Sequence, residues 1–157
     1  MKLNTMLVPL DGSSLAESAL SRALDLAGPD TTLVLLHAVE APPFRGADAL
    51  TADRHVVDEA EAYLAVQRER LLAAGAKKVE VSLWYGGSAS AIVEAARACK
   101  ADLIVMTTHG RSGLGRFILG SVTEAVLRGT TVPILVLRDS AAPLAAPPAT
   151  EVEPRRA

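Results

Sequence analysis

The residue types able to do chemistry concentrate between Thr107 and Ser121, in the stretch TTHGRSGLGRFILGS. Gly110, Gly113, Gly115 and Gly120 are interleaved with Arg111 and Arg116, and no acid occurs before Glu124. Glycine frees main-chain N–H groups and lets a ligand approach the backbone, and a helix start adds partial positive charge. Those are the requirements for holding phosphate. A connector whose glycines merely turn the chain would need the same residues, but it would have no reason to exclude acids. His109, beside Gly110, is placed to touch a ligand held there.

The flanking elements must position this loop. Leu103-Ile104-Val105-Met106 is short and apolar enough to be one buried strand, and Val122 to Arg128 has helical spacing. Earlier, Thr5 to Leu10 predicts a strand that stops at Asp11-Gly12-Ser13-Ser14, a turn and helix-cap cluster, before a helix closed by Gly28-Pro29. Thr32 to Val39 is nearly all apolar, as expected of a strand buried on both faces. The region to about Leu50 is expected to be loop, and Thr51 and Asp53 to open a helix ending near Ala74. In that helix Val57, Ala60, Leu64 and Leu71 point inward, and Asp58, Glu61, Arg68 and Arg70 outward. Val79 to Tyr85 alternates as a strand with Val79, Val81 and Leu83 inside and Glu80, Ser82 and Trp84 on a wetter face. A helix follows Gly86-Gly87-Ser88. Val132 to Leu137 is the last strand, and Pro133 suits an edge position. The tail from residue 140, rich in proline and alanine, is expected to be disordered.

The order β-α-β-α-β-α-β-α-β predicts an α/β domain over residues 1–139, a five-stranded parallel sheet with helices on both faces. In such sheets ligands bind beyond the carboxyl ends of the strands, at a switch point. Asp11, Ala38, Gly86 and the glycine loop all follow strands, so they gather at one rim.

Two readings stay open for several residues. Asp11 can form the turn and help to cap a helix, or it can accept a ribose hydroxyl or hold a metal on phosphates. Ser121 begins Ser121-x-x-Glu124, a capping box, and its hydroxyl is also placed to donate to a phosphate oxygen. His37 reads as a core residue with a satisfied ring, His55 as a helix-surface residue and Cys99, the lone cysteine, as a small core residue. GxxxxGK[ST] and GxSxG are absent, and Ile118 stands where GxGxxG needs its third glycine. Three scattered histidines and one cysteine offer no metal spacing and no disulfide.

With 157 residues, half of them apolar, the chain can bury one substantial core. A net charge of −2 argues against a general nucleic-acid partner. The apolar runs are too short to cross a bilayer, and the first residues lack the apolar core of a signal peptide. A cytoplasmic protein is expected.

Three stretches, MLVPLDGSSLAESAL, LVLLHAVE and DLIVMTTHGRSGLGRFILGSVTEAVLRGTTVPILVLR, resemble the universal stress protein family, and the resemblance runs from Thr5 to Arg138. It implies a Rossmann-like fold of the adenine nucleotide alpha hydrolase type. The pattern of its nucleotide-binding branch is G-x2-G-x9-G-[S/T]. Gly110, Gly120 and Ser121 match it, while Thr107 stands at the first glycine, which predicts reduced nucleotide binding. The resemblance implies ATP and magnesium as ligands, with Pro9 and Asp11 on the ribose and metal side, Ala38 toward adenine and Gly86 at the pocket border. Gly110, Gly120 and Ser121 would hold phosphates, joined on local reasoning by Gly113, His109 and Arg111. It also implies a homodimer through Ile134, Leu135, Val136 and Leu137, and a nucleotide-responsive role in stress survival with weak ATP turnover at most. A nucleotide-free dimeric module that recruits a protein partner is the alternative, favoured by Thr107.

Overall fold

A computed structural model describes residues 2–40, 47–108 and 119–138, with the side chains of 47–53 excepted. Its elements are β1 (Thr5–Leu10), α1 (Ser14–Leu26), β2 (Thr32–Val39), α2 (Ala47–Ala73), β3 (Lys78–Tyr85), α3 (Ser88–Ala98), β4 (Leu103–Thr107), α4 (Ser121–Gly129) and β5 (Ile134–Leu137). The strands form one five-stranded sheet in the order β3-β2-β1-β4-β5, and every pairing is parallel. This is the expected architecture, and the expected bounds of β1 and β2 match those observed.

Alternation along each strand divides the core into two layers. Met6, Val8, Leu33, Leu35, Leu103 and Val105 pack against Ala19, Leu20 and Ala23 of α1 and Leu64 and Leu71 of α2. On the opposite face Leu7, Val34, Leu36, Ile104 and Met106 meet Ile92, Val93, Ala95 and Ala96 of α3 and Val126 of α4. Leu7, Leu35 and Ile104 are wholly buried, and each such side chain stabilises the fold by roughly 1.5–3 kcal/mol relative to exposure. Gly129 lets α4 close onto α3, because a Cβ there would stand 3.0 Å from Val93 Cγ2.

The order of the strands reverses between β1 and β4, and these two strands part company early. The β1–β2 register runs from Thr5↔Thr32 to Leu10↔His37, whereas β1–β4 covers only Met6↔Leu103 and Leu7↔Ile104. The reason lies in the sequence. Thr5 C=O accepts from Asp102 N–H at 2.9 Å, so period two turns the main chain of Pro9 toward β4 as well, and proline has no N–H to continue the ladder. At the amino end the pair is held shut, since the Asp102 carboxylate accepts from the N–H groups of Asn4 (2.7 Å) and Thr5 (3.0 Å). Those bonds hold the Asp102 carboxyl below its usual pKa.

Several expectations are corrected. Helix α2 begins at Ala47, ahead of the expected Thr51, because Ala-Asp-Ala-Leu adds to an existing helix at little cost. Arg70 does not point freely outward: it donates to Glu17 Oε2 at 3.1 Å and to Gln67 Oε1 at 2.9 Å. On β3, Val81 is 47 % exposed while Trp84 packs on the α3 layer. β3 is an edge strand whose helices cover it off-centre, and the larger aromatic takes the burial. β5 starts at Ile134 rather than Val132. Pro133 stays outside the strand, and its carbonyl accepts from Ile104 N–H at 2.9 Å. The sequence beyond Arg138 lies outside the described residues.

Candidate functional site

Where β1 and β4 diverge, a cleft of about 150 Å³ opens at the carboxyl rim, roughly ten times the 10–15 Å³ a single water needs. Its floor is apolar, with Leu10, Leu36, Ile92 and Met106; its rim carries Asp11, Ser13, Ser88, Thr107 and Ser121, and the buried Thr123 completes the wall. Pro9, Asp11, Ala38, Gly120 and Ser121, all singled out in the sequence, meet here. Gly86 is not in the wall. It holds φ +118° at the end of β3, where its N–H donates to Val39 C=O at 3.0 Å. His109, Gly110, Arg111 and Gly113 lie outside the described residues.

The β1 side of the cleft is internally satisfied. Gly12, at φ +82°, turns the chain. Asp11 Oδ1 accepts from both Ser13 N–H (2.9 Å) and Ser13 Oγ–H (2.6 Å). Ser13 Oγ in turn accepts from Ala16 N–H at 3.1 Å and caps α1. Among the described residues Asp11 Oδ2 takes no hydrogen bond, so one carboxylate oxygen faces solvent at the rim.

Behind this turn stands Tyr63 of α2. Its hydroxyl donates to Glu17 Oε1 at 3.1 Å, and Gln67 Nε2 donates to the same oxygen at 3.1 Å. Burial raises the Tyr63 pKa first, then the charge and hydrogen bond of Glu17 and the charge of Asp11, and a Gly12 contact offsets this in part. The phenol therefore stays protonated and remains a donor across the range in which proteins work. His37 makes an edge contact with the Tyr63 ring at 5.8 Å. Its ring is not satisfied as expected, because Nδ1 is buried without a partner among the described residues. The β2 register fixes that ring against Leu10 and Leu83, which offer no acceptor or donor there.

The α3 and α4 side is built differently. Gly87 and Gly120 are the N-cap residues of α3 and α4, and neither helix has a side-chain cap bond. The expected Ser121–Glu124 capping box does not form. Ser121 is the first helical residue instead of the cap, and Glu124 Oε1 accepts from Arg128 Nη2 at 2.6 Å, one turn on. Gly120 C=O accepts from Glu124 N–H at 2.9 Å, and Gly120 N–H donates to Thr108 Oγ1 at 3.0 Å. The uncapped starts of two helices thus border a cleft that carries hydroxyls and an apolar floor, features suited to an anion with an apolar body.

Ser88, Ile92, Thr123 and Thr108 were not singled out as site residues in the sequence. Ser88 follows Gly86-Gly87 at the same rim, and that placement was the available signal. His55 stays at the surface near Glu59 (3.7 Å), as expected. Cys99 is a free, half-buried thiol at the end of α3, with its pKa raised chiefly by burial. Among the described residues no group of three or more metal-ligating side chains exists, and no helix is long and apolar enough to cross a membrane.

Sheet order, parallel pairing and a switch-point cleft define a doubly wound α/β protein with its cleft at the carboxyl rim, where ligands of such sheets bind. Residues 2–138 match the model of the universal stress protein family, and the chain belongs to that family. It is similar to a universal stress protein of Methanocaldococcus jannaschii, with 32% identity over 137 residues, spanning 85% of this chain and 81% of the relative. Among solved structures, a member of the family from Burkholderia pseudomallei is 30% identical with a TM-score of 0.69, over 86% of this chain and 96% of that one. A universal stress protein solved in complex with cAMP is 29% identical with a TM-score of 0.69, over 87% and 98%.

Proposed function

We propose that the cleft takes an adenine nucleotide, ATP with magnesium on its phosphates, and that the protein is a nucleotide-responsive regulatory or stress-survival factor with at most weak ATP hydrolysis. The observation that carries this reading is the pairing of an apolar floor with two uncapped helix starts at the switch point. The floor suits a base and the helix starts suit phosphate. The similar structure that holds cAMP supports the same ligand class.

Asp11 fits a metal on the phosphates, since its Oδ2 is free for a hard cation that takes few protein oxygens and several from phosphate or water. Magnesium bound there would offset phosphate charge next to this carboxylate. Ser121 and the Gly120 turn would hold phosphate, with His109, Gly110, Arg111 and Gly113 added from the neighbouring segment. Ala38 would meet the base, and Gly86, behind the wall, would set the height of the border. Hydrolysis is expected to be slow because Asp11, the sole carboxylate among the described wall residues, is assigned to the metal and is then not available as a general base. A second copy is expected to dock on β5, whose Ile134 to Leu137 are half-buried at the sheet edge.

Calorimetric titration with ATP and magnesium tests the reading. Saturable binding is expected, weakened about tenfold or more in Gly120→Val with little loss of stability; silence at millimolar nucleotide would sink it. The alternative, a nucleotide-free dimeric interaction module, is favoured by one observation, the Thr107 side chain in the cleft wall. Nucleotide retained through purification counts against it.

A further inference from the structure

We propose that Thr108 is a positioning residue for the cleft: its hydroxyl clamps the Gly120 amide and so fixes where the uncapped start of α4 stands. This rests on the nucleotide reading above and adds to it the residue that holds the phosphate-facing turn in place. Thr108 follows the last residue of β4 and is 5 % exposed. Its main-chain N–H donates to Leu137 C=O on β5 at 2.9 Å, so its backbone is anchored to the sheet. Its Oγ1 accepts from Gly120 N–H at 3.0 Å, across a sequence separation of 12. The hydroxyl is therefore a rigid post on one side of the intervening segment, and the N-cap of α4 is tied to it.

Nothing else described does this job. The N-cap of α4 is a glycine with no side chain, Ser121 makes no cap bond, and Glu124 is turned away to Arg128. Without the Thr108 hydroxyl, the Gly120 N–H would have to find a new partner in a half-buried place, and the first turn of α4 would shift to reach one. A phosphate group needs several amides converged to within a fraction of an ångström, so such a shift shows as lost affinity before it shows as lost fold. The tie also joins β5 to the start of α4, because Leu137 and Gly120 are held by the same threonine.

The experiment compares wild type, Thr108→Val, Thr108→Ser and Thr108→Ala by AMP titration, by hydrogen exchange of the Gly120, Val122 and Thr123 amides without ligand, and by urea midpoint. Thr108→Val keeps shape and removes the acceptor; it should weaken AMP roughly tenfold and speed exchange of these amides by a similar factor. Thr108→Ser should restore both to within about twofold, since it returns the acceptor. A valine variant that exchanges and binds like wild type overturns the proposal, and so does a serine variant no better than alanine. If wild type binds no adenine nucleotide, the proposed function falls, and the clamp is then decided by ligand-free exchange alone. Should the valine variant fail to fold, the serine and alanine pair decides by the same two readouts.

Discussion

The helix starts at the cleft are of two kinds. Helix α1 is closed by its own turn: Asp11 braces Ser13, Ser13 caps Ala16, and Tyr63 backs the turn through Glu17. Helices α3 and α4 begin at glycines with no side-chain cap. The closed start satisfies the Ser13 and Ala16 amides whether or not anything is bound, so Ser13 belongs to the frame. The open starts have no side-chain cap, so under the nucleotide reading they are the part of the rim the ligand would use. Within one rim, hydrogen-bond satisfaction separates the braced helix start from the open ones.

Substitutions on the two sides should therefore read out differently. The largest effect on stability is expected at Glu17, which accepts from Tyr63, Gln67 and Arg70 at once. Glu17→Ala leaves Gln67, only 3 % exposed, without that partner, and should cost about 2 kcal/mol by urea unfolding, with AMP affinity nearly unchanged. Next come the paired serines. Ser13→Ala should cost about 1 kcal/mol through the lost cap, whereas Ser121→Ala should stay within about 0.5 kcal/mol of wild type and weaken AMP instead. Equal stability losses at both serines would erase the distinction and restore the capping box.

The smallest effect is expected at Asp102, at the opposite rim. Its pKa is lowered in the fold, so its contribution is present at neutral pH and is lost as pH falls from the ordinary carboxylate value, about 3.9, toward the folded one. The difference in urea midpoint between wild type and Asp102→Asn should thus be widest near neutrality and shrink in acid. A gap that grows on acidification would reverse the sign of this argument.

Local pattern carried most of the frame. The apolar runs at Thr5–Leu10 and Thr32–Val39 read as strands, the second as one buried on both faces, and both bounds were legible. Five residues of the cleft wall were legible too: Asp11 because it follows a strand whose end shares the rim, Gly120 and Ser121 from the glycine loop and helix start, and Pro9 and Ala38, inside β1 and β2, through the family resemblance. What escaped depends on which partner the folded chain gives a group. The Thr108–Gly120 bond needs the fold to bring the two together, and Glu124 had two possible partners, of which Arg128 took it. The exposure of Val81 follows from the edge position of β3, which alternation alone does not report.

Pro9 has a consequence reaching past its place in the wall. The mouth exists because a missing amide hydrogen lets two central strands unzip while Asp102 keeps their far ends stitched, so its gape is written in main chain. Trimming or enlarging any one neighbour reshapes the lining but cannot seal the opening. Under the nucleotide reading, a change of ligand would then ask only for changes in the lining, on a framework that never has to be rebuilt.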